Sequence, residues 1–179
     1  MQDTHFIPGI DISQRQKINE QQLVGFFEHI YEQYTLQTIT FLCIGTDRST
    51  GDALGPLVGN QLVEYGVPNV VGTLPFPCDA DNLKARFEEI PSDHIIIAID
   101  ACLGQVTTVG SYLVSQQPLI PAESVGLSLP PVGHYSVAAV VNINGPKPYW
   151  TLQMTSLYLV MKMAEQISSS IAKAFKLIK

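Results

Sequence analysis

Apolar residues fall along this chain in two rhythms, short unbroken runs and longer stripes at helical spacing. The runs are Thr35–Ile44, nearly all apolar in its second half, and His94–Ile99, where Ile95, Ile96, Ile97, Ala98 and Ile99 stand together. Runs of this length, rich in β-branched residues, predict strands buried on both faces of a parallel sheet. Shorter strands are predicted at Asn69–Thr73, Val109–Ser115 and Ser136–Val141. The stripe Leu23, Phe26, Phe27, Ile30 and Tyr34 predicts a helix over Arg15–Gln33. A second helix runs from Ala53 or Pro56 to Glu64 and stops at Gly66. Asp79 or Asp81 is placed to cap a third, which reaches Glu89 before Pro91 ends it. The longest stripe, from Leu152 through Leu159, Met163 and Ile171 to Ile178, predicts one continuous terminal helix. Helices alternating with buried strands predict a single-domain three-layer α/β/α sandwich with a mostly parallel central sheet.

Length and composition narrow this picture. Residues 1–14 contain Pro8 and Gly9 without periodicity and are expected to form an extended N-terminal arm, leaving 15–179 as one domain. With 46% apolar and 15% charged residues the chain is globular, not disordered. A net charge of −6 and scattered Lys and Arg exclude a basic face for nucleic acid. No apolar run reaches the ~18 residues that span a bilayer, and the first residues lack the pattern of a signal peptide. Three cysteines, Cys43, Cys78 and Cys102, lack zinc or redox spacing and fit a reducing cytoplasm.

Candidate chemistry concentrates at two predicted strand ends. The stretch FLCIGTDRSTGDALGP (Phe41–Pro56) carries Asp47 and Asp52 in the loop after the first long strand, and Asp100 directly follows Ile95–Ile99. In open α/β sheets, ligands bind beyond the carboxyl ends of strands where strand order reverses. In a 2-1-3 order these two strands are neighbours, and Asp52 and Asp100 converge. Two close carboxyl groups can divide the roles of acid and base. With an imidazole they can instead hold a divalent metal ion, and His134, in the Pro-Pro-Val-Gly-His turn, is the candidate third ligand. Each residue also has a plain structural reading. Asp52 suits a helix N-cap, Asp47 a cap on the Gly45 turn, and His134 an ordinary loop position. The loop GTDRSTG lacks both the P-loop ending and the dinucleotide glycine pattern, and no Gly-x-Ser-x-Gly elbow is present.

The runs IGTDRSTGDALGPLVG (Ile44–Gly59), IAIDACLG (Ile97–Gly104), LPPVG (Leu129–Gly133) and LVMKMA (Leu159–Ala164) resemble the YyaC-like sporulation protein family of spore-forming Firmicutes. The first two runs are also similar to motifs of the spore germination protease, whose proposed aspartic pair falls on Asp52 and Asp100. The fold this implies resembles that of the hydrogenase maturation proteases. Their metal-contacting acid falls on Asp52, their second acid on Asp100, and their histidine on His134. The resemblance implies a peptidase acting on a protein or peptide in the cytoplasm of a sporulating cell or spore. The chain is shorter than the germination protease and lacks its larger insertions and activation segment.

Three expectations follow. In the first, Asp52 and Asp100 activate water against a peptide carbonyl, with or without a metal ion, while loop amides hold the oxyanion. In the second, the fold binds a peptide or protein without cutting it. In the third, the apolar terminal helix forms a homodimer face through Leu159 and Met163.

Overall fold

The computed structural model describes residues 5–7, 10–121 and 129–177. Its elements are β1 (His5–Ile7), β2 (Ile10–Asp11), β3 (Gln16–Ile18), α1 (Glu20–Gln33), β4 (Ile39–Cys43), α2 (Leu54–Glu64), β5 (Val70–Val71), α3 (Leu83–Glu88), β6 (Ile95–Gly104), β7 (Tyr112–Ser115), β8 (Tyr135–Ile143), α4 (Pro148–Gln153) and α5 (Leu157–Ala174). Six strands make one sheet in the order β3-β7-β8-β6-β4-β5. From β5 through β4 and β6 to β8 the pairing is parallel, and β7 and β3 add antiparallel strands at the far edge. The expected adjacency of the two long strands is present, with Cys43 opposite Ile99 at the last pair.

Alternate residues of the central strands feed two cores. Phe41, Ile97, Ile99 and Val137 pack with Phe26 and Phe27 of α1, Val58 and Leu62 of α2, and Met163 and Ile167 of α5. Leu42, Ile96, Ala98 and Ala138 face the other way, under Cys78, Leu83, Leu119 and Val132. Helices α1, α2 and α5, with Leu152 of α4, thus cover one face, and the short α3 with its flanking loops covers the other. Each fully buried Phe, Leu or Ile contributes ~1.5–3 kcal/mol, so this double-sided burial is what holds the long strands in register.

Several expected elements change. Arg15–Ile18 is not the first turn of a helix, because Gln16–Ile18 pairs with β7. The helix begins instead at Asn19, whose side chain accepts from the Gln22 N–H while the Gln22 side chain accepts from the Asn19 N–H. The chain before it is not a bare arm either: β1 pairs with β2, and Ile12 is buried in the larger core. Much of the expected arm, and Ile178 at the other end, lie outside the described residues. The N-cap position of the third helix is Asn82, which makes no side-chain cap, and not Asp79 or Asp81. The terminal helix is two helices, interrupted at Met154–Ser156. There the Thr155 hydroxyl donates to the Thr151 carbonyl, and Ser156 caps α5 by accepting from the Leu159 N–H. One stripe runs through both because both lie on the same core. Met163 is buried in that core, and Leu159 is partly buried against it. Among the described residues no helix is long and apolar enough to cross a membrane.

Candidate active site

The loop between β4 and α2 is folded back so tightly that glycine is required at its corners. Gly45 has φ of +142°, and a Cβ there would stand 2.0 Å from the Asp52 carbonyl oxygen. A Cβ on Gly55 would stand 2.0 Å from the Ile44 carbonyl oxygen. The strand end and the helix start therefore touch through backbone. Cross-loop hydrogen bonds complete the fold: Gly45 N–H to Cys78 O at 2.8 Å, Thr46 N–H to Asp52 O at 3.2 Å and Gly51 N–H to Leu152 O at 2.9 Å. Asp52 is not the helix N-cap. That position is Ala53, which makes no side-chain cap.

Asp100 does not end its strand. β6 continues to Gly104 alongside β8, with a bulge after Cys102. What ends is β4, so Asp100 is the first residue of β6 beyond the β4 ladder. It is buried, and its Oδ1 accepts from the Ala101 N–H at 2.8 Å. Asp52 and Asp100 line one cavity of about 190 Å³, at the switch between the crossover to β5 and that to β8. Burial raises the pKa of Asp52 above its ordinary value, and the neighbouring Ser49 offsets part of that rise. The Ser49 hydroxyl is itself buried and meets hydrogen-bonding geometry with none of the described residues.

The cavity contains four further residues that the sequence did not assign to it. Asp79, Asp81, Arg48 and Tyr149 all line it. Arg48 donates to Asp79 at 2.8 Å and to the Thr46 hydroxyl at 3.2 Å, tying the first loop to the loop before α3. The Arg48 side chain is largely exposed, so this ion pair positions more than it stabilises. Asp79 also accepts from the Asp81 N–H. The one local signal for these residues was Asp-Ala-Asp after a Pro-rich loop. What brings them in is an isolated parallel bridge between Ile44 and Cys78, a tertiary pairing invisible to local pattern. The buried Cys78 thiol is pushed up to about 12, chiefly by desolvation, with Asp79 and Asp100 adding to the shift and Arg86 opposing it. It remains a thiol and supplies no nucleophile.

Two expected participants are not brought to the site. Asp47 is exposed and does not line the cavity. His134 sits at the opposite end of the sheet. Its N–H donates to the Ile96 carbonyl at 2.8 Å, and its Nδ1 accepts from the Ile96 N–H at 3.0 Å. Ile96 is four residues before Asp100, about 13 Å back along an extended strand. The three candidate ligands of a possible divalent metal ion, Asp52, Asp100 and His134, are therefore not brought together. Among the described residues no group of three or more His, Cys, Asp and Glu side chains is arranged to hold a metal. The oxyanion donors change too, since the N–H groups of Gly45, Thr46, Gly51 and Ala53 are spent on internal carbonyls.

The architecture is that of a maturation-protease fold. The structure of the NiFe hydrogenase maturation protease HycI from Thermococcus kodakarensis KOD1 superposes with a TM-score of 0.56, covering 84% of this chain and 99% of that one at 18% identity. The chain itself belongs to the family described as "Protein of unknown function (DUF1256)", which matches residues 11–170. It is 43% identical over 139 residues to the uncharacterized protein YyaC of Bacillus subtilis (strain 168), spanning 75% of this chain and 68% of that protein.

Proposed function

We propose that this chain is a peptidase that hydrolyses a peptide bond with Asp52 and Asp100. The observation that carries this reading is their placement: two carboxyl groups from separate loop and strand elements line one cavity, and one of them has a raised pKa. Asp52, holding its proton to higher pH than a solvated carboxyl, is the acid. Asp100 is the base. Water gives a proton to Asp100 as its oxygen bonds to the carbonyl carbon, the Asp52 proton passes to the leaving nitrogen, and the C–N bond breaks. Proton exchange with solvent then restores both groups. Arg48, which lines the cavity and pairs with Asp79, is the cation that meets negative charge on the carbonyl oxygen. No step is routed through a metal ion. The resemblance to sporulation proteins supports a substrate in the sporulating cell or spore.

The test is hydrolysis of protein and peptide substrates by the purified chain across pH, with and without added divalent ions. Loss of cleavage in both Asp52→Asn and Asp100→Asn supports the assignment. Cleavage that survives both substitutions removes it. A second reading, a binding module that does not cut, is favoured by the amides of Gly45, Thr46, Gly51 and Ala53, which are occupied by internal carbonyls. It requires saturable peptide binding by wild type with no turnover.

A further inference from the structure

A large apolar surface beside the cavity has no partner among the described residues. Tyr149, Trp150, Met154, Leu157, Tyr158 and Met161 are each 51–77% exposed. They occupy α4, the turn after it and the first turns of α5, while Leu152, Val160, Met163 and Ala164 fill the inward side. These two helices are thus apolar on both faces, which marks the outer face for burial against something else. Aromatic side chains bury ~150–250 Å² each, so the patch presents on the order of 700 Å². That exceeds the largest patch of most monomers and approaches the ~800 Å² each partner gives a standard interface.

The patch is continuous with the cavity, because Tyr149 lines both. Among the described lining residues, the carboxyl groups of Asp52, Asp79, Asp81 and Asp100 face a single cation, Arg48. We propose that this surface seats the substrate, a polypeptide segment with bulky apolar side chains along α4 and α5 and a Lys or Arg where it enters the cavity. The inference rests on the peptidase reading and adds a substrate class to it. The basic group belongs at the cavity end, since the patch has its own exposed cations in Lys147 and Lys162. A second copy is the poorer occupant. Self-pairing of the patch about a two-fold axis would bring two acidic cavities together in a chain of net charge −6.

Trp150 is the sole tryptophan and lies in the patch, so its emission reports occupancy directly. The probe is a labelled peptide of about 12 residues, ~40 Å when extended, built from Leu, Phe and Ser with Lys at one end. It is compared with one carrying Glu for Lys and one carrying Ser for Leu and Phe. The first peptide is expected to shift Trp150 emission to the blue and saturate, with both controls at least about tenfold weaker. Combined Tyr158→Ser and Met161→Ser substitutions, with melting unchanged, should weaken binding about tenfold by peptide anisotropy. Equal binding of the Glu peptide, an unchanged affinity in that variant, or a peptide-free dimer in which Trp150 is already shielded would overturn the proposal. Binding in the expected pattern without cleavage removes the peptidase reading and leaves the surface. Cleavage of all three peptides at equal rates does the reverse.

Discussion

Burial raises the pKa of Asp52, while Asp100 Oδ1 accepts from the Ala101 N–H. If the pair acts as acid and base, Asp52→Asn and Asp100→Asn should each lower peptide hydrolysis by ~10²–10⁴, with melting temperature preserved, as steady-state assays and calorimetry can check. The raised pKa of Asp52 has its own signature. A carboxyl whose folded pKa lies above its unfolded one holds more protons when folded, so its stabilisation is full below the unfolded pKa and is lost as pH rises through the folded one. Wild type should therefore lose stability relative to Asp52→Asn as pH rises from about 3.8, the ordinary value. Parallel melting curves for the two proteins at every pH would contradict the burial argument. Gly45 is a third test at this scale. With φ of +142° and the Asp52 carbonyl 2.0 Å from where a Cβ would stand, Gly45→Ala should cost at least about 2 kcal/mol in chemical denaturation. Asp52 was readable because the sequence after a buried strand, with a glycine at each corner of the loop, restricts where the chain can go.

The helices and strands were legible wherever an apolar pattern met a single environment. The strand after His94, the second half of Thr35–Ile44 and the α2 stop at Gly66, with φ of +80°, are of this kind, whereas Leu36–Thr38 at the start of the expected first strand is a 3₁₀ turn. The pattern misled where one stripe served two elements, as at Thr155 and Ser156, whose hydroxyl bonds break the terminal helix while Leu152 and Val160 keep facing one core. It misled also at Gln16–Ile18, where pairing to β7 outweighed the helical periodicity that starts only after the Asn19 cap. His134 shows the same limit for chemistry. Local context offered a histidine in a turn, but the parallel pairing of β8 with β6 places it beside Ile96 instead of Asp100. Its ring replaces a carbonyl as acceptor for the Ile96 N–H, so His134→Ala should leave that donor unmet and cost ~1–3 kcal/mol. Peptide cleavage per folded molecule should be unchanged. A loss of turnover with stability intact would return His134 to the site.

At the scale of the whole molecule, the sheet brings four carboxyl groups to one cavity from segments far apart in sequence, and the α4–α5 surface extends that cavity outward. Asp79 and Asp81 could not be read into the site, because the Ile44–Cys78 bridge that delivers them depends on the completed sheet. The same completeness decides which side of α5 is available for contact. Sequence spacing placed Met163 on an apolar stripe without saying which of two apolar faces it served. The structure buries Met163 among core side chains and leaves Met161 about half exposed. Met163→Ala should then leave a cavity and cost ~2–5 kcal/mol, as is usual for a buried Met, which in a chain of this size lowers the melting temperature by roughly 4–20 °C. Met161→Ser should stay within about 0.5 kcal/mol of wild type. Thermal unfolding of the two variants separates core from surface directly. A neutral Met163→Ala beside a destabilising Met161→Ser would mean that α5 is turned the other way, and the substrate surface proposed on its outer face would fall with it.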